Sequence, residues 1–297
     1  MIRRVLLVGA GAIGMLHAVK LARNGEVELK LFADAARRRR YLENGLFFNG
    51  EKINFDFADM VFEPELIVVA TKFCQYREAL EMIAPYVRKN TILMPVLNGI
   101  SSADVARERF PETEVVTAFF LGHASVRTGT RVFHDGVGTT YLGLPGSPAS
   151  AAVAAIKDLF DAVGISAEVP ADMRAALWKK FILNVGVNQT SAFFRADYGT
   201  IQKNHEMLDF ARQLMLEALE IARRENVDVS VSAVEEAMKV ICTMPACAKT
   251  SMLQDVEAKR ETEIGLFAGE LLRRAEKYQL DLPANRKVWE KLKPQCR

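Results

Sequence analysis

Three polar residues recur at a fixed interval in an otherwise apolar, helix-like stretch of the chain. Lys180, Asn184 and Asn188 are four residues apart within the segment 177–188. At about 100° per residue, this spacing places their side chains on one stripe of a helix. Burying an amine and two amides is costly unless polar groups lie against them. The stripe therefore faces polar groups of the protein itself or a polar ligand, and the stretch alone favours neither.

An ammonium group in apolar surroundings is suited to acid catalysis. It can stabilise negative charge that develops on an oxygen atom, and it can then protonate that atom. Burial lowers the pKa of a lysine towards working pH. The amides of Asn184 and Asn188 lie one and two turns beyond Lys180 and could bind hydroxyl or carboxylate groups without adding charge. The stretch alone equally favours a core helix whose polar residues are satisfied by neighbouring backbone.

The start of the chain has the pattern of a nucleotide-binding turn. A short apolar strand precedes Gly9, Gly11 and Gly14, and an amphipathic helix follows them. In such a unit the first glycine permits a tight turn, the second lets the backbone approach a pyrophosphate, and the third allows close packing of helix on strand. Ala12 and Ile13 complete this loop at the helix N-terminus, which favours phosphate. The pattern predicts a dinucleotide cofactor.

The residues after the second predicted strand leave the choice of dinucleotide open. Asp34 lies close to the spacing of about twenty residues at which an acid binds the ribose 2′-hydroxyl, which favours NAD(H). Four arginines follow at 37–40, and their guanidinium groups could bind the 2′-phosphate of NADP(H). The alternative for these arginines is a solvated helix face. Both cofactors therefore remain open.

Two further polar residues follow apolar strand patterns. Lys72 comes after the β-rich run 66–70, and Asn98 comes after the run 91–94. Open parallel sheets bind ligands in the crevice outside the carboxyl ends of their strands. Both residues are therefore candidates for a cofactor crevice, with ordinary loop positions as the alternative.

The chain divides into two parts by its periodicity. Strand and helix patterns alternate up to about residue 170, which predicts an α/β, Rossmann-like dinucleotide-binding domain over residues 1–170. Strands are expected at 126–134, with Gly129 marking a bend, and at 165–169, where the last closes the sheet. Residues 171–297 predict an all-helical substrate and catalytic domain. Its helices are expected at about 172–192, 204–225, 231–242, 252–278 and 284–292.

The helix expected at 252–278 carries two more candidate residues. Thr250 and Ser251 provide the N-cap signal in front of it. We expect Ser251 to act first as the cap and second as a ligand contact, because a helix N-terminus also suits a carboxylate. Glu263 lies on the same predicted helix, and in isolation it cannot be distinguished from other surface acids.

The composition excludes several classes of function. Apolar residues make up 50% and charged residues 26% of the chain, and the net charge of +2 argues against a nucleic-acid or membrane surface. No apolar stretch reaches about 18 uncharged residues, and the first residues enter a strand pattern rather than a signal peptide, so a cytoplasmic location is expected. The scattered cysteines predict reduced thiols and no metal site. They are Cys74, Cys242, Cys247 and Cys296.

Taken together, these motifs resemble those of the ketopantoate reductase (2-dehydropantoate 2-reductase) family over essentially the whole chain. The resemblance rests on Gly-Ala-Gly-Ala-Ile-Gly at 9–14, Thr-Lys at 71–72, Asn-Gly at 98–99, the segment 177–188, and Thr-Ser-Met-Leu-Gln-Asp at 250–255 with Thr-Glu-Ile at 262–264. The order and spacing of these motifs make a chance similarity improbable.

The resemblance implies an NADP(H)-dependent oxidoreductase that reduces ketopantoate to pantoate in pantothenate biosynthesis. It implies that Lys180 is the general acid and that Glu263 takes part in substrate binding or turnover. It implies that Lys72 and Asn98 lie near the nicotinamide, that Ser251 binds the carboxylate end of the substrate, and that further substrate contacts come from Asn98, Asn184 and Asn188.

Two departures from the family pattern affect specificity. Members that use NADP often carry an arginine where this chain has Asp34, and some members have a substrate-binding asparagine at the position of Ala248. A related reductase of another 2-oxo acid, or a hydroxy-acid dehydrogenase, is therefore the alternative function. A catalytically silent nucleotide-binding sensor is a third, and the intact stripe of Lys180 argues against it. The oligomeric state stays open, and a homodimer is compatible with a helical domain of this kind.

Overall fold

The chain forms two compact units, residues 1–173 and 174–297, which are called here the N-terminal unit and the C-terminal unit. The structure is a computed structural model, and it describes residues 2–122, 125–146 and 150–293. The division between the units lies close to the boundary expected at residue 170.

The N-terminal unit contains strands and helices in alternation. The described strands are β1 (Arg4–Val8), β2 (Glu28–Phe32), β3 (Leu46–Phe48), β4 (Glu51–Ile53), β5 (Asp56–Phe57), β6 (Leu66–Val69), β7 (Ile92–Pro95), β8 (Glu114–Val115), β9 (Thr117–Gly122), β10 (Ser125–Thr128), β11 (Arg131–His134), β12 (Gly138–Gly143) and β13 (Ala167–Glu168). The described helices of this unit are α1 (Ala12–Arg23), α2 (Ala35–Asn44), α3 (Tyr76–Ile83), α4 (Ser102–Arg109) and α5 (Ala151–Ala162).

A six-stranded parallel sheet in the order β5-β2-β1-β6-β7-β8 forms the centre of this unit. Strands β6 and β7 are apolar throughout, and β1 is apolar after Arg4, because helices cover both faces of the sheet. In β1, Val5 and Leu7 belong to one core cluster with Met15 of α1, whereas Leu6 and Val8 belong to the opposite cluster with α3. The prediction of an α/β, Rossmann-like fold is thus confirmed.

Two strand predictions in this unit were wrong. Residues 126–134, expected as one strand with a bend at Gly129, form two strands of the antiparallel hairpin β10–β11, because Gly129 adopts a left-handed φ of +62°. The hairpin belongs to a second sheet in the order β10-β11-β3-β4. The segment expected at 165–169 does not close the main sheet, since β13 pairs with β12 in a three-stranded sheet with β9. The sequence pattern of a strand does not indicate which other strand it will pair with in a sheet.

The C-terminal unit is helical, as expected, but one predicted helix is divided. Residues 252–278, expected as one helix, form a short helix, a 3₁₀ helix at Glu263–Leu266 and a second helix. The chain turns between them because Lys259 has a φ of +52° and because Arg260 donates from its Nε to Asp255 Oδ1 at 2.8 Å. The helices associated with this unit are α6 (Met173–Phe194), α7 (Tyr198–Gln202), α8 (His205–Arg224), α9 (Ser232–Thr243), α10 (Ser251–Glu257), α11 (Ala268–Tyr278) and α12 (Pro283–Leu292).

Neither a spanning helix nor a metal cluster is found in the part of the chain that the structure describes. No helix there is sufficiently long and apolar to cross a bilayer. No group of three or more histidine, cysteine, aspartate or glutamate side chains is arranged to hold a metal ion. Cys74, Cys242 and Cys247 are exposed and form no disulfide bond within the described residues, and Cys296 lies outside them.

A buried histidine of α1 makes the stability of the N-terminal unit sensitive to acid. His17 is fully buried, with Nδ1 2.8 Å from Ile13 O and Nε2 3.0 Å from Thr140 Oγ1. Burial lowers the pKa of His17 from 6.5 to about 4. The unfolded chain therefore binds a proton between these two pH values that the folded chain does not bind, and the free energy of unfolding decreases as the pH falls from 6.5 towards 4.

We expect this histidine to contribute a loss of about 3 kcal/mol between pH 7 and pH 4. Urea denaturation across this range should show a weaker pH dependence for His17→Gln than for the unchanged protein. The matched control is His205→Gln, because His205 is exposed at the start of α8. Identical pH slopes for the unchanged protein and for His17→Gln would contradict the role of His17.

Candidate active site

The cofactor candidates of the N-terminal unit lie at one edge of its central sheet. Strands β2, β1, β6 and β7 are neighbours, run parallel and end level with one another in the register. Gly9 follows the last paired residue of β1 by one residue, and Asp34 follows that of β2 by two. Lys72 and Asn98 follow the last paired residues of β6 and β7, each by three residues. The fold thus brings together, at the carboxyl ends of the strands, side chains that are far apart in sequence. This edge is where open parallel sheets bind their ligands.

The glycine loop between β1 and α1 has room only for glycine at two positions. Gly9 has a φ of +103°, and a Cβ atom there would lie 2.6 Å from Ala70 O. A Cβ atom on Gly14 would lie 1.9 Å from Gly9 O. Helix α1 begins at Ala12, its N-cap is Gly11, and no side chain caps it. The N–H groups of its first turn are therefore available to a phosphate group, so the loop fits a dinucleotide.

Three further polar side chains lie at this edge and were not among the residues predicted from the sequence. Thr71 Oγ1 and Ser101 Oγ are buried and have no hydrogen-bond partner among the described residues. Arg127 Nη1 lies 3.9 Å from the position that a Cβ atom on Gly11 would occupy. The hairpin β10–β11 packs against α1 and brings this guanidinium to the loop. Only the position of Thr71 beside Lys72 was a local signal, because Arg127 reaches the loop through tertiary packing.

Asp34 is engaged by its own helix. It is the N-cap of α2, its Oδ1 accepts from Arg37 N at 2.7 Å, and its Oδ2 accepts from Arg37 Nη1. Partial burial raises the pKa of Asp34, but the hydrogen bonds and charge of Arg37 outweigh this effect and hold the pKa below its usual value. A carboxylate has further acceptor sites, so the capping role and a ribose contact are compatible. The guanidinium of Arg38 lies over the ring of Phe57, and that of Arg40 lies over the ring of Tyr41.

In the C-terminal unit, the candidate stripe lies on one unbroken helix. Helix α6 is 22 residues long, so Lys180, Asn184 and Asn188 keep the predicted spacing along one face. Lys180 and Asn184 are half-buried, and Asn188 is only 7% exposed. The side-chain amides of Asn184 and Asn188 make no hydrogen bond to any other described residue. Neighbouring backbone therefore does not satisfy them, and the stripe retains polar groups that suit a ligand.

Lys180 and Glu263 interact electrostatically although they lie on different elements. Desolvation lowers the pKa of Lys180 from 10.5 to about 8, against the opposing effect of the Glu263 carboxylate. Glu263 is half-buried and begins the 3₁₀ helix rather than continuing a long helix, which corrects its predicted setting. An amine with a pKa near working pH is suited to general acid catalysis.

The prediction that Ser251 caps the following helix was wrong. Thr250 is the N-cap of α10, because its backbone is extended and its Oγ1 accepts from Leu253 N at 3.2 Å. Ser251 is instead the first helical residue, and its side chain is exposed. Its hydroxyl is therefore not used as the cap. Ala248 contributes its backbone, since its carbonyl accepts from Tyr198 N at 3.2 Å.

Both units match models of the same protein family. The family model "Ketopantoate reductase PanE/ApbA" matches residues 5–146, and "Ketopantoate reductase PanE/ApbA C terminal" matches residues 172–295. The 2-dehydropantoate 2-reductase of Vibrio cholerae is 24% identical over 293 residues, which cover 97% of this chain and 96% of the relative.

Two solved structures share the fold along nearly the whole chain. The PanE/ApbA family ketopantoate reductase from Ralstonia eutropha JMP134 is 26% identical, with a TM-score of 0.86 and 97% of each chain covered. A D-mandelate dehydrogenase, in a ternary structure with NADH and anilino(oxo)acetate, is 20% identical, with a TM-score of 0.88 and with 97% of this chain and 96% of that chain covered.

Proposed function

This chain belongs to the ketopantoate reductase family and is an oxidoreductase that acts on a C=O or CH–OH group, and we propose that it reduces ketopantoate to pantoate. The proposal includes a nicotinamide dinucleotide as cofactor, with NADP(H) as the family expectation and NAD(H) as the alternative. It is supported at the level of the family, since the curated relative is only 24% identical.

One observation carries the proposal most directly. A half-buried ammonium lies on the same helical face as two side-chain amides that have no hydrogen-bond partner among the described residues. Of these groups Asn188 is buried, and a buried amide without a protein partner needs a polar occupant beside it. A small 2-oxo acid offers the matching groups, because it has a ketone oxygen and a carboxylate that can accept from these donors.

The chemistry that this arrangement supports is reduction of the ketone at C2. A reduced nicotinamide dinucleotide, when bound, would supply the hydride. As the C=O bond is reduced, negative charge develops on oxygen, and the Lys180 ammonium stabilises it and transfers a proton from Nζ to that oxygen. The product is the 2-hydroxy acid, and Lys180 remains as a neutral amine that must take up a proton before the next turnover.

The other candidate residues bind and orient in this proposal. Asn184 and Asn188 donate to the hydroxyl and carboxylate of the substrate, and the exposed hydroxyl of Ser251 at the start of α10 contacts its carboxylate end. Glu263 keeps Lys180 protonated to a higher pH than burial alone would permit. The residues proposed to hold the cofactor are Gly9, Gly11, Ala12, Ile13, Gly14, Asp34, Lys72 and Asn98.

The test is a reduction assay with ketopantoate, run in parallel with NADPH and NADH. We expect turnover with at least one of the two cofactors, and Asp34→Ala separates their roles. If the Asp34 carboxylate binds the ribose hydroxyls, this variant should lose efficiency with NADH more than with NADPH. Absence of ketopantoate reduction with either cofactor would refute the substrate assignment.

A reductase of another 2-oxo acid is the second candidate, because the D-mandelate dehydrogenase has a similar fold over the whole chain. The alanine at position 248 also removes a side chain that could contact substrate. A pocket discriminates only modestly against one methyl group, so a panel of branched and aromatic 2-oxo acids is needed. A higher kcat/KM for another member of the panel would select this candidate, and cofactor binding without any turnover would select the sensor.

A further inference from the structure

The side-chain amide of Gln189 joins three helices of the C-terminal unit. Gln189 is 0% exposed and follows Asn188 on α6. Its Oε1 accepts from Ala268 N at 2.9 Å, and its Nε2 donates to Val185 O at 3.0 Å and to Asn285 Oδ1 at 2.9 Å. The amide orientation follows from Ala268 N, which can only donate. Gln189 therefore links α6 to the start of α11 and to α12.

The bond to Ala268 acts as a cap that is supplied by another helix. Ala268 is the first residue of α11, and Phe267 at the N-cap makes no side-chain capping bond. A buried N–H at a helix start requires an acceptor, and Gln189 provides it. The 3₁₀ helix Glu263–Leu266 ends two residues before Ala268, so the segment that carries Glu263 is joined directly to this fixed helix start. The rings of Phe181 and Phe267, 6.1 Å apart, pack at the same junction.

The two ionisable candidates of this unit lie on the two segments that Gln189 joins. Lys180 is on α6, Glu263 is the first residue of the 3₁₀ helix, and Glu263 is the charged group that acts on Lys180 among the described residues. We propose that Gln189 is a positioning residue, which keeps Glu263 close to Lys180 by holding the start of α11 against α6. This inference rests on the acid role proposed for Lys180, because only then does the distance between the two charges affect the reaction.

The same network offers a matched control at Asn285. Asn285 accepts from Gln189 and donates to Glu217 Oε2 at 2.7 Å, and Glu217 also accepts from Ala284 N at the start of α12. Replacing Asn285 disrupts a buried network of the same kind and removes one partner of Gln189. It leaves the bond from Ala268 to Gln189 in place. A purely structural role for Gln189 predicts that the two replacements have equal consequences.

The experiment measures the pKa of Lys180 directly in the full chain, by NMR titration of ¹³Cε-labelled lysine assigned with Lys180→Ala. We expect Glu263→Gln to lower this pKa by roughly 1 unit, because it removes the nearby negative charge. Gln189→Leu should lower it by about half that amount or more, and the double variant should not go below Glu263→Gln alone. Asn285→Leu should lower the Tm but leave the pKa of Lys180 unchanged.

Three results would overturn the inference. These are an unchanged pKa in Gln189→Leu, an equal decrease in Asn285→Leu, and a further decrease when Gln189→Leu is added to Glu263→Gln. Gln189→Met keeps the side-chain volume and replaces the leucine variant if that variant does not fold. The titration needs no turnover, so a chain that fails to reduce ketopantoate refutes the proposed function without deciding the role of Gln189.

Discussion

Replacement of Lys180 by alanine is expected to lower kcat for ketopantoate reduction by about two to four orders of magnitude. The alkoxide that forms at C2 then has neither a positive charge to stabilise it nor a proton donor within the stripe. The fold should be unaffected, because Lys180 is only half-buried and alanine is the strongest helix former in the middle of α6. Steady-state kinetics with saturating cofactor, together with thermal unfolding, provide the measurement.

Two variants separate the charge of Lys180 from its proton. Lys179→Ala is the matched control, because the neighbouring lysine is exposed on the same helix, and near-normal turnover is expected. Lys180→Arg keeps a positive charge but does not release a proton at working pH, so it should recover only part of the lost rate. Near-normal turnover in Lys180→Ala would remove this residue from the mechanism.

The pH profile provides an independent check on the same residue. The amine must be protonated to act as an acid, and its pKa is lowered to about 8. The rate of reduction should therefore be highest below pH 8 and should decrease above it, whereas the reverse oxidation should become faster as the amine loses its proton. In Lys180→Arg the decrease in the reduction rate above pH 8 should move to a pH outside the measurable range.

Replacement of Gly14 by alanine is expected to weaken dinucleotide binding by roughly 100-fold or more. The new Cβ atom would lie 1.9 Å from Gly9 O, a distance that no packed structure tolerates. The obstructing atom belongs to the backbone of the loop itself, so the loop must open and lose the arrangement of N–H groups that receives the phosphates. Titration of the full chain with NADPH, followed by nicotinamide fluorescence, measures the dissociation constant.

Gly11→Ala is the control for this prediction. A Cβ atom on Gly11 would meet its nearest described neighbours, Ala70 O and Arg127 Nη1, at 3.7 Å and 3.9 Å, which are ordinary contacts. This variant should keep its Tm and lose less affinity, because its methyl group only narrows the approach of the pyrophosphate. Equal dissociation constants for Gly14→Ala and the unchanged protein would exclude the loop as the phosphate site.

Elements that depend on local spacing could be predicted from the sequence. The glycine loop and the face shared by Lys180 and Asn188 follow from residues within one strand–turn–helix unit or within one helix. The apolar middle strands could be recognised for the same reason, since a strand covered on both faces needs a continuous apolar run. The position of Asp34 after β2 was also local, although its bond to Arg37 was not predicted.

Structure predictions were wrong where the local sequence was compatible with two different backbone conformations. The helical pattern continues through 252–278, and the break at Lys259 depends on its left-handed backbone and on the bond from Arg260 to Asp255. Thr250 and Ser251 are both good caps, and a shift of one residue in the helix start decides which hydroxyl remains exposed. Gly129 was identified as a bend, but the division into two paired strands was not, because a glycine within a strand pattern also suits a bulge.

The sequence by itself determined the α/β and helical character of the two units, the phosphate loop, and the polar stripe on α6, because each depends on periodicity over a few turns or strands. Only the tertiary structure decided that Glu263 acts on Lys180, that Gln189 caps α11, and that Arg127 lies beside Gly11. These contacts join residues that are distant along the chain. Their formation depends on how whole helices and strands pack, and no spacing within a single segment encodes that packing.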